Sequence, residues 1–288
     1  MRKVLLAILA AAALLSCKAQ EPKVMVRHVP ERADDFIFEN DLVCSRIYGK
    51  ALEGNPTSPG VDIWVKLPGK LVANEWYSHI GEQGSEGYYH HDHGGKDCYK
   101  VSTSLGGGAS APYIDGKIRY PATNYRSFDI LESAPDRAVF VLHYPEWDVD
   151  GVSVALDKKI TVTPGTYFFK CEDTWTFSGA DSLTVAAGIN RHVKQETIEE
   201  EFTGSDLYAI WEKASDQHAE PEDGRIGVAV VMPSADSVAV TRKGTHGLCI
   251  KTVASGETVI YWFGSCWSKG NIKDSKTWFD YVKDNNTR

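Results

Sequence analysis

From Phe36 to Phe263 the chain is written in short alternating runs of apolar and polar residues. Val61-Asp62-Ile63-Trp64-Val65-Lys66-Leu67 is the clearest of them. Successive side chains of an extended segment point to opposite faces, so Val61, Ile63, Val65 and Leu67 fall on one face and Asp62, Trp64 and Lys66 on the other. The same reading predicts strands over 138–144, 159–163, 167–177, 226–232, 237–241, 248–253 and 258–263. Turn formers separate them, among them Thr163-Pro164-Gly165, Ser178-Gly179-Ala180-Asp181 and Ser255-Gly256-Glu257. Many short strands with few helical windows predict an all-β, antiparallel sandwich. A terminal helix is expected where Ser275 can cap a turn carrying Trp278, Phe279 and Val282 inward. A shorter one is expected from Leu207 to Lys213, inside the acidic stretch 195–225.

The first residues stand outside this pattern. Met1-Arg2-Lys3 leads into an apolar run from Val4 to Leu15, closed by Leu14-Leu15-Ser16-Cys17. A basic start, an apolar segment too short to span a bilayer and a small residue before the cut have the form of an export signal. A cysteine just after such a cut is where a bacterial lipoprotein carries its lipid. Residues 1–16 are therefore read as signal peptide, 17–23 as a lipidated tether beginning at Cys17, and 24–288 as one β domain. The expected location is the bacterial cell envelope, on the outer membrane, with the N-terminal lipid as the membrane contact.

Charge narrows the partners. The net charge of −8 comes from 39 acidic against 31 basic residues, with no block of Lys or Arg, which argues against nucleic acid. Of six cysteines, five follow Cys17, and their spacing fits no disulfide or zinc framework, so they are expected as small buried hydrophobes. Eight Trp and thirteen Tyr are many for a core that Leu and Ile could fill, and flat exposed rings suit the faces of sugars.

The densest chemistry is Tyr88-Tyr89-His90-His91-Asp92-His93-Gly94-Gly95-Lys96-Asp97-Cys98-Tyr99-Lys100. Histidine titrates near neutrality and tyrosine can donate to a departing alkoxide, so this stretch is equipped for acid and base work. Its H-x-H pair puts His91 and His93 on one side of an extended segment, where a divalent metal can sit. Ser104-Leu105-Gly106-Gly107-Gly108 lacks the Lys-Ser or Lys-Thr of a phosphate loop, and its glycines are expected to permit close backbone approach. Asn124-Tyr125-Arg126 and Asn190-Arg191-His192 each offer an arginine able to clamp a carboxylate beside a proton-transfer group.

A family resemblance is carried by Pro30-Glu31-Arg32-Ala33-Asp34-Asp35-Phe36, Glu39-Asn40-Asp41, Arg46-Ile47-Tyr48-Gly49, Gly60 to Lys66, Asp92-His93-Gly94, Asp97 to Val101 and Gly264-Ser265-Cys266-Trp267-Ser268. Over nearly all of the mature chain the sequence resembles a formerly uncharacterised family of exported proteins from bacterial polysaccharide-utilisation clusters. That resemblance implies a galactose-mutarotase-like supersandwich with a few short helices, and a relationship to the oligosaccharide dehydratase of ulvan degradation.

Three functions follow as expectations. The first is β-elimination at a uronic acid of an oligosaccharide, of dehydratase or lyase type. In it His91 or His93 is the base with His192 in reserve, Tyr89 or Tyr99 the proton donor, and Arg126 or Arg191 the carboxylate partner. Asp62, Trp64, Lys66, Tyr88, Lys100 and Trp267 are expected to contact sugar. The second is a non-catalytic glycan-binding lipoprotein that uses Trp64, Tyr88, Tyr89 and Trp267 as platforms. The third is a hydrolase or sugar epimerase with Asp62, Asp92 or Asp97 in a catalytic role.

Overall fold

The alternation of Val61–Lys66 is realised, and both of its faces are covered. In the computed structural model, which describes residues 21–57, 59–82, 87–193, 198–204, 206–214 and 218–285, Val61, Ile63 and Val65 enter the main core. Trp64, on the reverse face, enters a second core with Trp76, Tyr77 and Tyr89. Leu67 falls outside both, 44% exposed. Cys17 and the signal segment lie outside the described residues.

This strand belongs to a five-stranded sheet that runs in chain order through Val24–Val29, Asp35–Asn40, Cys44–Ile47, Val61–Lys66 and Gly95–Asp97. An eight-stranded sheet has the spatial order Glu199–Thr203, Leu207–Lys213, Arg225–Val231, Glu257–Trp267, Phe168–Ser178, Val152–Val162, Arg137–Val149 and Ser127–Ala134. The third sheet runs Ser237–Val240, His246–Val253, Leu183–Asn190, Ser110–Ile114 and Lys117–Ile118. Neighbouring strands pair antiparallel in all three.

The glycine segment joins the first sheet to the third. Val61 N–H donates to Leu105 O (3.2 Å) and Gly107 N–H to Val61 O (2.8 Å), while Asn190 N–H donates to Gly106 O (2.7 Å). Gly106 has φ +59°, and a Cβ there would lie 2.1 Å from the Val61 carbonyl oxygen, so only glycine fits. The expected close approach is therefore to another strand. Joined in this way, the two five-stranded sheets make one layer packed on the eight-stranded sheet, and the architecture is the expected antiparallel β supersandwich.

Aromatic rings fill the space between layers. Phe36 stacks on Phe140 at 4.3 Å and Phe38 meets Phe169 edge-on at 4.7 Å. Burying each such ring contributes about 1.5–3 kcal/mol. A buried polar knot pins the layers as well: Lys158 Nζ donates to both Asp173 oxygens (2.9 and 2.7 Å) and to Tyr261 Oη (3.0 Å) in the eight-stranded sheet, and lies 3.3 Å from Ser110 Oγ of the third. The cysteines at 44, 98, 171, 249 and 266 are all buried, as expected.

Two local expectations are corrected. Leu207–Lys213 is a strand, paired on both sides, because Glu199–Thr203 and Arg225–Val231 satisfy its backbone in a way a lone short helix would not match. The terminal helix, Ser275–Asp284, buries Trp278, Phe279 and Val282 as expected, but its cap is Asp274, whose Oδ1 accepts from Thr277 N–H at 2.8 Å. A second helix, Ala73–Ser78, covers Trp64. Glu39 fixes its start by accepting from Val72 N–H and Ala73 N–H, both at 2.9 Å.

Candidate active-site cleft

Leu183–Asn190 and His246–Val253 are paired in register, with Asn190 opposite His246, and the chain on either side of that pair opens into a cleft of about 700 Å³. The cleft is lined by Lys100, Tyr120, Asn190, Arg191, His192, Lys213, Thr245 and His246, together with the 102–104 turn. Its size is that of a small-molecule site.

His246 is fixed in one tautomer. Its Nε2 accepts from Leu105 N–H at 3.2 Å, which leaves the proton on Nδ1, 3.0 Å from Thr245 Oγ1. Burial, reinforced by the nearby charge of His192, lowers its pKa to about 4, so the ring is neutral across the physiological range. Tyr120 Oη lies 3.3 Å from that same Nε2, and burial raises its hydroxyl to about 12.

His192 is the opposite case. Its Nδ1 is bonded to Glu212 Oε1, which favours the charged ring, while its Nε2 lies 2.7 Å from the Lys100 carbonyl and 3.0 Å from Asn190 Nδ2. Burial opposes that charge, but the hydrogen bond and charge of Glu212 outweigh it and raise the pKa. Arg191 frames the wall, with one Nη on Gly244 O and the other on Glu200, whose second oxygen accepts from Tyr208 Oη at 2.7 Å. Lys100 Nζ has no ion-pair partner among the described residues, and no carboxylate is among the described residues that line the cleft. The arrangement is a neutral His–Tyr pair facing cations.

Of the residues singled out from sequence, Lys100, Arg191 and His192 come together here, and Tyr99 lies beneath them, edge-on to His192 at 5.2 Å with its hydroxyl donating to Gly106 O. Tyr99 is buried and bonded, which corrects its reading as the proton donor. The rest are elsewhere. Tyr89 is buried flat on Trp64 at 5.0 Å, and Trp64 is fully buried, so neither offers a face to sugar. Trp267 is also buried, its Nε1–H donating to Asp223 O at 2.6 Å. Asp62 is bound at 2.6 Å to buried Arg46, which also holds Asp97 at 2.9 Å, and burial with the Asp97 charge raises Asp62 against the pull of Arg46. Lys66 holds Glu39, the cap of the 73–78 helix, at 3.1 Å. Arg126 is paired with Glu53 at a different hollow.

The histidine-rich stretch owes its density to ring stacking. His93 stacks on Tyr88 at 3.6 Å, Tyr88 on His79 at 4.1 Å, and His90 on His218 at 3.8 Å. His91, His93 and Asp92 are exposed outside the cleft, and Asp92 is held by Lys269 at 2.9 Å. No group of three or more His, Cys, Asp or Glu able to hold a metal ion occurs among the described residues. Tyr120 and His246 carry no sequence signal: one sits in Arg119-Tyr120-Pro121, the other at the head of an apolar strand.

An antiparallel β supersandwich with a polar cleft at its strand ends is the class that fold and site define. The chain belongs to the family described as a domain of unknown function, DUF4861, whose model matches residues 12–288. It is 28% identical over 273 residues to the uncharacterized protein P7 of Formosa agariphila, covering 90% of this chain and 66% of that protein. The chain thus spans just under two thirds of that relative's length. Among solved structures, a putative kojibiose phosphorylase from the human microbiome overlaps 62% of this chain and 24% of its own, at TM-score 0.40 and 8% identity. The GH36 α-galactosidase AgaB of Geobacillus stearothermophilus overlaps 85% and 41%, at TM-score 0.39 and 11% identity.

Proposed function

We propose that the cleft binds a uronic acid of an oligosaccharide and eliminates across its C4 and C5, releasing water from a terminal unit or the next sugar from an internal bond. The observation that carries this reading is the neutral His246 beside Tyr120 in a cleft with cations and no described carboxylate. A glycosidase needs a pair of carboxyl groups about 5–10 Å apart, and a pure glycan binder needs exposed aromatic platforms. Among the described residues, Tyr120 is the one such ring in the lining.

The chemistry proceeds without a net change in protein charge. Lys100 neutralises the substrate carboxylate, with the hydrogen-bonded His192–Glu212 pair beside it, so that the enolate-like state can form. Tyr120 Oη takes the C5 proton as its own proton passes to His246 Nε2, which gives up its bond from Leu105 N–H to receive it. The C5–H electron pair becomes the C4=C5 double bond, and the C4–O bond breaks with its electrons. Tyr120 then protonates the departing oxygen and recovers a proton from His246, so the C5 proton ends on the released water or sugar. The protein does this outside the cytoplasm, tethered through Cys17.

Incubation with an oligouronide panel, followed by ultraviolet absorbance of the unsaturated uronate and by product mass, tests the reading. New absorbance with loss of water supports a dehydratase and absorbance with chain cleavage a lyase; saturated products only, or no turnover across the panel, overturns elimination.

A further inference from the structure

On the far side of Tyr120, Thr245 and His246 lies a second hollow of about 740 Å³, which shares those three residues with the cleft. Two hairpins of the third sheet line it. One is the turn between Ser110–Ile114 and Lys117–Ile118; the other joins Ser237–Val240 to His246–Val253. The first hairpin supplies Lys117 and Arg119, the second Arg242 and Lys243. Asp115 is the one carboxylate among the described residues lining it.

Arg119 is engaged with Asp150 at 2.7 Å. Lys117, Arg242 and Lys243 have no ion-pair partner among the described residues, and all three are exposed. The chain carries −8 overall, so a hollow with four cations and one acid runs against the background charge. Like charges held together across a concave surface repel one another and raise the local anion concentration, an arrangement that favours a bound anion. Mobile lysines and a guanidinium suit the oxygens of a sulfate ester or carboxylate.

We infer that this hollow is an anionic-sugar subsite. The substrate runs from the cleft past Tyr120 and His246, and a sulfated or carboxylated sugar one or two units from the reacting residue sits on Lys117, Arg242 and Lys243. This rests on the elimination reading for the cleft and adds a length and charge requirement to it.

The test compares the full chain with the triple variant Lys117→Gln, Arg242→Gln, Lys243→Gln, and with Asp115→Asn, on a uronic-acid disaccharide and on tetrasaccharides with and without sulfate. Folding of each variant is checked by circular dichroism. In the triple variant KM for the charged tetrasaccharides should rise roughly tenfold or more beyond any change for the disaccharide, and lose most of its salt dependence. Asp115→Asn should lower it. A sulfate-dependent loss assigns the anion as sulfate; an equal loss on both tetrasaccharides assigns it as carboxylate. Equal effects on disaccharide and tetrasaccharide overturn the subsite. If no oligouronide is turned over, the elimination reading fails separately. Titration calorimetry with the same tetrasaccharides then decides the hollow: binding weakened by the triple variant supports it, and unchanged or absent binding overturns it.

Discussion

The hydroxyl of Tyr120 lies 3.3 Å from Nε2 of His246, two residues 126 positions apart in the chain. Neither belongs to the histidine-dense 88–100 stretch, and the proposed elimination turns on their meeting. Tyr120→Phe keeps the ring and removes the proton carrier. It should lower kcat by about 10²–10⁴-fold with little change in KM, read from initial rates of unsaturated-uronate formation.

His192 and His246 titrate in opposite senses. His246 falls from 6.5 to about 4, so its contribution to stability is present above pH 6.5 and is lost as pH drops toward 4. His192 is raised, so its contribution is present below 6.5 and is lost as pH climbs through its folded value. Activity should therefore rise through a limb near pH 4 and fall on a second limb above 6.5. In His192→Gln, removal of the imidazolium should move His246 upward from about 4 but not to 6.5, because burial is the larger cause. Ring-proton chemical shifts against pH measure this directly.

The Lys158–Asp173 pair should respond asymmetrically to substitution. Lys158→Ala leaves a buried carboxylate without its cation and should cost about 3–5 kcal/mol in denaturant unfolding. The double variant Lys158→Met, Asp173→Leu removes both charges and should recover most of that loss. A double variant no better than the single one would show that the pair itself, and not the orphaned charge, sets the cost.

Gly247 follows His246 directly, and a Cβ there would lie 1.9 Å from the Tyr208 ring of the facing sheet. Gly247→Ala should destabilise the fold by about 1–3 kcal/mol and weaken activity by displacing His246. Chemical denaturation and kcat measured on the same sample check the two effects together.

For the N-terminus, Cys17→Ala should shift the protein from the membrane to the soluble fraction of cells that express the full chain, as judged by detergent partitioning. Persistence in the membrane fraction would count against lipid attachment.

The strand core was legible because an alternating run such as Val61–Lys66 has one physical meaning for its apolar face. Its other face was ambiguous. Trp64 reads alike as a sugar platform or as packing, and only the arrival of Trp76 and Tyr89 from later segments decides it. Leu207–Lys213 is apolar at nearly every position, a pattern that does not separate helix from strand. In the cleft, Asn190-Arg191-His192 announced itself because three polar residues follow an apolar strand. His90 to His93 announced itself more loudly, yet residue density reports composition, not convergence: two of those rings are occupied by other rings. His246 and Tyr120 are single residues whose meaning comes entirely from register.

That register has a kinetic consequence. Leu105 and His246 are bonded across 141 positions, Lys100 and Asn190 across 90, so the loops that bring the cleft together are among the longest in the fold. Closing such loops is entropically costly before any contact rewards it, and sheets built this way fold slowly. No early hairpin contains the cleft, and a refolding chain acquires strand content well before it acquires a formed His246–Tyr120 pair. Recovery of turnover after dilution from denaturant would thus serve as a clock for the final closure of the third sheet, trailing the far-ultraviolet signal of the strands that form first.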